Sequence, residues 1–401
     1  MITVPEFGPL SGVKVIISGI SYAGPFAATL MGDYGADVLC IESSKAPDMV
    51  RGGSFFEQAH RNQKMITLNM ADPKGQEVLL RLVKETDILI ENSKAGQWDK
   101  WGLSDEKLWT ANPKLVITHI SGFGQTGVKE YVSRGSFDGI GQAFGGIMSM
   151  NGEPLPATSL GVNPYVADYY AALYGSWCSL AAYIRAQKTG RGDSIDVAQY
   201  EALVYTMSDA VMNLFNRGTT YKRTGAQNNK YGGWQVYKCR DGEILVVPVG
   251  NTAYHKGLPY LGIEIGSEHF PKEWQYVPRG TRGDEILTAK LEAYCAERTV
   301  AQVDEELNAN NLLASPVMTH QMMENHPHYK AREVFAEWED ADGKTIRGPN
   351  TVFKFKNNPG RIWRGAPKYG ADNEQVLSEA GYSPAEIQAL LDTGVVANSI
   401  L

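Results

Sequence analysis

Cysteine is scarce in this 401-residue chain: Cys40, Cys178, Cys239 and Cys295 are the 4 present, far apart and without the paired spacing of a metal site. That pattern excludes a zinc centre and a disulfide framework, and leaves four small apolar side chains in a reducing compartment. Positive charge is also short, with 38 Lys and Arg against 45 Asp and Glu, for a formal net charge of -7. A nucleic-acid binder needs a basic face for phosphates, so that class is set aside, and an anionic ligand must meet a local basic cluster. No segment reaches the ~18 consecutive apolar residues of a membrane span. The opening Met1-Ile2-Thr3-Val4-Pro5-Glu6-Phe7 lacks a basic stretch followed by an apolar run. Internal repeats and low-complexity tracts are missing as well. These absences predict a cytoplasmic protein with no metal, no membrane and no nucleic-acid partner.

What is present is globular. Hydrophobic residues make up 43% of the chain and charged residues 21%, enough for a large core divided between two domains. The spacing predicts a strand over 13–19, a helix over 23–34 and a second strand over 36–42, a βαβ unit that opens a Rossmann-like, doubly wound α/β domain with a parallel sheet. Its turn, Gly19-Ile20-Ser21-Tyr22-Ala23-Gly24, lacks the middle glycine of the dinucleotide fingerprint, which argues against a nicotinamide cofactor. An irregular stretch over 43–64 is expected next, then strands over 65–69, 87–92, 115–121 and 194–198, with helices over 73–86 and 200–215. The loop after the strand at 87–92 carries Lys94 and Lys100, at the carboxyl end of a strand where open α/β sheets bind ligands. Gly122-Phe123-Gly124-Gln125-Thr126-Gly127 matches G-x-G-x-x-G by letter but has no clear helix behind it and is discounted. His119, inside an apolar strand, reads as a core histidine.

From Asn216 the chain turns polar and glycine-rich, which marks a domain boundary. Residues 1–220 are read as the first part of a large domain, 221–330 as a smaller α/β domain, and 331–401 as a C-terminal segment returning to the large one. The small domain has strands over 234–239 and 243–248 and helices over 284–297 and 300–309. The tail has short strands over 334–338 and 351–355 and a helix near 374–380.

The chemistry is placed at Asn163-Pro164-Tyr165-Val166-Ala167-Asp168-Tyr169-Tyr170. Asp168 precedes a long apolar run with helical spacing, so its ordinary role is an N-cap. Its aromatic and aliphatic neighbours, the lack of an adjacent base and the dipole of a helix N-terminus point further, to a carboxylate that stays ionised and acts as a nucleophile.

The order of segments resembles the class III CoA-transferases over nearly the whole length. The resemblance rests on Gly35-Ala36-Asp37-Val38 before Ile41-Glu42, on Lys188-Thr189-Gly190-Arg191-Gly192-Asp193 before a strand, and on Gly381-Tyr382-Ser383-Pro384-Ala385-Glu386-Ile387. Within that family, Pro164-Tyr165-Val166-Ala167-Asp168-Tyr169 and Asn357-Asn358-Pro359-Gly360-Arg361-Ile362-Trp363-Arg364-Gly365 look closest to the carnitine branch. The resemblance implies a CoA-transferase that moves CoA between carboxylic acids through a covalent aspartyl intermediate, with Asp168 as the catalytic residue. Crotonobetainyl-CoA or gamma-butyrobetainyl-CoA is the implied donor and L-carnitine the acceptor, and an (R)-2-hydroxy acid such as 2-hydroxyisocaproate or an aryl-lactate is the alternative. CoA thioesters are substrates here, with no permanently bound cofactor.

The positions that match the family for CoA binding in the large domain are Ser18, Ile20, Leu68, Asn69, Asn92, Lys94 and Lys100; Trp101 stands where a basic residue is expected. Tyr165 is assigned to the substrate, and Gly232-Gly233 to the loop folded over the site, although it is shorter than the glycine run of formyl-CoA transferases. The family further implies an interlocked homodimer. Tyr165, Tyr169, Tyr170, Tyr231 and Trp234 are candidates for an aromatic cage around a quaternary ammonium, with core packing as the plainer explanation.

An acyl-CoA racemase with the same fold needs a histidine for proton transfer where this chain has Ser136-Phe137-Asp138, and Phe137 carries no proton. A CoA-binding protein without catalysis is the remaining rival.

Overall fold

Short apolar runs rich in Val and Ile, each closed by glycine or a polar turn, assemble into a parallel sheet in this computed structural model, which describes residues 2–399. The strands are β1 (Lys14–Ser18), β2 (Asp37–Ser43), β3 (Gln63–Leu68), β4 (Ile88–Glu91), β5 (Val116–Ser121) and β6 (Ser194–Ala198). They lie in the order β3-β2-β1-β4-β5-β6, and every adjacent pair is parallel. The order reverses between β1 and β4, where Ile17 pairs with Ile90, and ligands of open α/β sheets bind beyond the strand ends at such a switch point.

Helices cover both faces of this sheet: α1 (Ala23–Gly32), α2 (Ser54–His60), α3 (Pro73–Val83), α4 (Asp105–Ala111), α5 (Asp138–Phe144), α6 (Val166–Thr189) and α7 (Gln199–Thr206). Alternation along each strand divides the core. Ile16, Ile66 and Ile117 pack with Val78 and Leu79 of α3, whereas Val15, Ile17 and Val116 pack with Ala27, Ala28 and Met31 of α1 and with Ala171 and Ala172 of α6. The small residues of α6 let it lie close to β5: a Cβ on Gly175 would stand 2.8 Å from Ile120 Cδ1. The buried hydroxyls of Thr118 and Ser179 meet at 2.7 Å across the same contact.

By internal contacts the chain forms two compact units, one of residues 1–147, 161–208 and 328–401, the other of 148–160 and 209–327. In the second unit, α8 (Asp209–Arg217) is followed by the antiparallel strands β7 (Gln235–Lys238), β8 (Glu243–Val247) and β9 (Leu313–Pro316). The unit also holds α9 (Arg282–Ala296) and α10 (Val300–Ala309), started by Thr281 and Thr299 caps. Its core holds Tyr237, Ile244, Val246, Leu287 and Leu291.

The tail supplies an antiparallel hairpin, β10 (Phe335–Glu339) with β11 (Thr345–Pro349), then α11 (Asn373–Glu379) and α12 (Pro384–Asp392). It is sewn to the free edge of β3. Met65 N–H donates to Asp372 Oδ2 at 2.7 Å, Thr67 N–H to Asn373 Oδ1 at 2.9 Å, and Asn69 N–H to the Val395 carbonyl at 2.8 Å.

Three local expectations change. The stretch expected to be irregular contains α2. The single helix expected over 200–215 is two, α7 and α8, separated at Ser208, whose φ of 52 lies in the left-handed region that a continuous helix cannot use. The strand expected over 351–355 is irregular, and the partner of β10 is β11; Val352 and Phe353 are exposed. Among the described residues no helix is long and apolar enough to cross a membrane.

Candidate active site

Asp168 sits inside the first turn of α6, so its side chain is not the N-cap expected from the sequence. The cap position belongs to Tyr165, at φ 24 and without a side-chain hydrogen bond. A carboxylate from another helix does the capping. Asp138, the first residue of α5, accepts the N–H of Ala167 at 2.8 Å and the N–H of Asp168 at 3.4 Å on Oδ1, while its Oδ2 takes Gln142 Nε2 at 2.6 Å.

Asp168 is 7% exposed, and Gln199 Nε2, at the start of α7, donates to its Oδ1. Burial pushes the Asp168 pKa up to about 7, the charge of Asp138 adds to the rise, and the Gln199 hydrogen bond pulls the other way. This corrects the expectation of a permanently ionised carboxylate. The helix dipole is met by Asp138, whose own charge opposes a second one beside it.

A cleft of about 650 Å³ runs from the switch point to Asp168, the only acidic side chain on its wall among the described residues. It gathers Ser18, Ile20, Leu68, Asn69, Asn92 and Lys94 with Asp168. Asn92 shapes one side by bracketing Ile20, accepting its N–H at 3.0 Å and donating to its carbonyl at 2.9 Å. Lys100 is not on the wall; it is exposed at the end of the one-turn helix Gln97–Lys100, and Trp101 takes the lining position instead. Exposed Arg134, which the sequence reading passed over, adds a second cation beside the cleft, its guanidinium held over the Tyr131 ring at 4.1 Å.

Tyr165 is 46% exposed and does not line the cleft, but its ring lies 5.1 Å from that of Tyr22, which does. Tyr22 also meets Tyr169 at 5.3 Å, and Phe55 meets Tyr165 at 5.7 Å, an aromatic group that reaches the cleft wall through Tyr22. Tyr231 and Trp234 stack on each other in the second unit.

Gly232 and Gly233 also belong to the second unit, where both are buried and both N–H groups are engaged, to the Val277 carbonyl at 2.7 Å and to Asp284 Oδ1 at 3.0 Å. A Cβ at either glycine would come within 2.8 Å of Asp284 or Leu287, so close packing on α9 accounts for the pair.

Gly122, first of the discounted glycine motif, serves the site indirectly: a Cβ there would fall 2.1 Å from Ser136 Cβ. Ser136 in turn donates to Gln199 Oε1 at 2.8 Å. Neither Asp138 nor Gln199 carries a sequence signal for its role, because each acts through a meeting of helix ends.

His119 is the core histidine expected, 9% exposed and bridged to Glu91 at 2.8 Å and Asp105 at 3.0 Å. Burial alone lowers its pKa, yet hydrogen bonds to Asp105 and Glu91 and their charges override it and hold the pKa at about 10. Among the described residues no cluster of His, Cys, Asp and Glu could hold a metal ion.

The sequence profile of CoA-transferase family III matches residues 10–373. Bile acid CoA-transferase BaiK of Clostridium scindens is 42% identical over 399 residues, covering 98% of this chain and 91% of that protein. The crystal structure of a CAIB/BAIF family protein from Brucella suis superposes with a TM-score of 0.79 at 28% identity, covering 94% of this chain and 100% of the other. A Mycobacterium tuberculosis protein, Rv3272, shares the fold at a TM-score of 0.79 and 21% identity, covering 92% of this chain and 99% of the other.

Proposed function

The chain belongs to CoA-transferase family III, and from that premise we propose that it moves CoA between two carboxylic acids through covalent adducts on Asp168. The observation that carries this reading is the position of Asp168: a buried carboxylate, alone of its charge on the wall of the cleft among the described residues. Asp168 attacks the thioester carbonyl, the carbon–sulfur bond breaks, and CoA leaves as thiolate from a mixed anhydride. The thiolate then attacks the Asp168 carbonyl carbon, which releases the first carboxylate and leaves an aspartyl-CoA thioester. The incoming carboxylate reverses the sequence: it displaces CoA to form a second anhydride, and CoA returns to the new acyl group, freeing Asp168. No proton is consumed. Splitting one exchange into acyl transfers at a fixed carboxylate lowers each barrier.

Ser18, Ile20, Leu68, Asn69 and Asn92 offer a wall for the CoA nucleotide, and Lys94 offers a phosphate contact, all in the same cleft. For the acid we favour a trimethylammonium carboxylate, with crotonobetainyl-CoA or gamma-butyrobetainyl-CoA as donor and L-carnitine as acceptor. The rings of Tyr22, Phe55, Tyr165 and Tyr169 near Asp168 support this choice, since aromatic faces attract a quaternary ammonium. The identity to BaiK supports a second reading, a bile acid acceptor laid against the same rings. The homodimer implied by the resemblance belongs to this proposal, and a single-chain species in sedimentation would count against it.

The test is to incubate purified protein with an acyl-CoA, quench, and examine the Asp168 peptide by mass spectrometry after hydroxylamine or borohydride trapping. An adduct on Asp168 followed by transfer to carnitine agrees with the proposal. Transfer to cholate but not carnitine selects the second acceptor, and no adduct during turnover overturns the covalent route.

A further inference from the structure

Resting on the reading of Asp168 as nucleophile, we propose that Gln199 is a second catalytic residue, whose side-chain N–H stabilises the oxyanion formed on Asp168 Oδ1 whenever the Asp168 carbonyl carbon is attacked. The exchange passes through two kinds of tetrahedral species. When Asp168 attacks an acyl-CoA, or CoA attacks the acyl side of an anhydride, the negative charge collects on the substrate's oxygen. When CoA thiolate attacks the aspartyl side of the anhydride, or the second acid attacks aspartyl-CoA, the charge collects on an oxygen of Asp168 itself. That second oxyanion needs a donor built into the protein at the Asp168 side chain.

Backbone groups nearest Asp168 are already committed. The N–H groups of Ala167 and Asp168, which open α6, are directed to Asp138 Oδ1. Gln199 is the side chain that reaches the carboxylate, through Nε2 to Oδ1; among the described residues Oδ2 accepts no hydrogen bond and is left for bond formation. The oxygen bonded to Gln199 therefore becomes the carbonyl oxygen of the anhydride and of the thioester, and the contact persists through each intermediate.

The amide is preset. Ser136 donates its hydroxyl to Gln199 Oε1 at 2.8 Å, which turns Nε2 toward Asp168; the flipped amide would set Oε1 against a carboxylate oxygen. Gln199 is 5% exposed. Space for it is made by Gly141 of α5, where a Cβ would stand 3.1 Å from Gln199 Cβ and 3.4 Å from Oε1. Ser136 has its own place because Gly122 lacks a side chain. Two glycines and a serine thus fix one donor, and a donor preorganised in a buried site stabilises developing charge without reorganisation.

Gln199→Met keeps the length of the side chain and removes both N–H donors. Single-turnover reactions quenched in acid, read by the mass of the Asp168 peptide, separate acyl-aspartate from aspartyl-CoA. The expected result is acylation of Asp168 within about tenfold of the parent rate. Formation of aspartyl-CoA and overall transfer should fall on the order of 10²–10³-fold, with the trapped population moved toward the acyl adduct. An unchanged rate and adduct ratio overturns the role of Gln199 while the Asp168 adduct of the parent still stands. No adduct in the parent overturns the nucleophile and this inference with it. If Gln199→Met does not fold, Gln199→Glu carries the test, because a carboxyl donates only when protonated. Its transfer should decline as pH rises, in a limb the parent lacks; a parent-like profile refutes the assignment.

Discussion

The carboxylate of Asp138 accepts the backbone N–H of Asp168 at 3.4 Å, so the two acids meet through the main chain of one at the side chain of the other. Asp138 closes the start of α6 from outside and, by its charge, helps to keep the Asp168 pKa near neutrality. A carboxyl group poised in this way exists in both protonation states under ordinary conditions.

The first consequence is a rising pH profile. If Asp168 is the nucleophile proposed above, only its ionised form attacks, so kcat/KM for the acyl-CoA should climb through pH about 7, the folded-state pKa, and level off above it. Stopped-time assays over that window, at constant ionic strength, check the midpoint; a profile flat through neutrality counts against it.

Stability should move the opposite way. The folded pKa of Asp168 is raised above the ordinary value of 3.8, so folding is favoured by its protonation below that value and loses this contribution as pH rises through about 7. Under the proposed covalent route, Asp168→Asn should lower transfer on the order of 10⁴-fold or more. The same variant should unfold at higher temperature than the parent near pH 8, with the advantage shrinking as pH falls below about 7 and vanishing only below 3.8.

Replacing Asp138 separates capping from charge. Asp138→Ala leaves the first N–H groups of α6 without an acceptor and should cost about 1–2 kcal/mol in chemical unfolding. Asp138→Asn keeps an acceptor oxygen and removes the charge, so the acid limb of kcat/KM should shift to lower pH.

Lys94 and Lys100 should differ in effect. Lys94 lines the cleft and Lys100 does not, so Lys94→Ala is expected to raise KM for the CoA thioester about tenfold, the loss of one charged phosphate contact. Lys100→Ala should change it by less than about twofold. Steady-state kinetics at two salt concentrations read both.

His119 gives a purely structural prediction. Its folded pKa of about 10 exceeds the ordinary value of 6.5, so its contribution is complete below pH about 6.5 and is lost as pH rises toward 10. His119→Leu leaves Glu91 buried and unpaired, at a cost of about 3–5 kcal/mol near neutral pH. Denaturant titrations of parent and variant should converge as the medium becomes alkaline.

The sheet was readable because β1, β2 and β5 are short runs of Val and Ile, and both faces of a parallel strand are buried. The helix α5 was not, since Asp138-Gly139-Ile140-Gly141-Gln142-Ala143-Phe144 contains two poor helix formers and an apolar face that remains partly exposed. Residues 351–355 alternate like a strand yet find no partner, which no local pattern reveals. In the site, Asp168, Asn92 and Lys94 stand in recognisable segments. Gln199 was invisible for a physical reason: its role depends on the ends of α6 and α7 converging on Asp168, and on two distant glycines yielding the room.

The stitching of the tail to β3 also bears on truncation. The outward N–H groups of Met65, Thr67 and Asn69 find their acceptors in Asp372, Asn373 and Val395, residues far along the chain from β3. Without them the sheet has an open border that a strand of any other molecule can join. A chain cut before residue 372 loses that border guard together with Val376, Leu377, Ile387, Leu390 and Val395, which are buried against Ile66 and Leu79, so one cut opens both the edge and one face of the sheet.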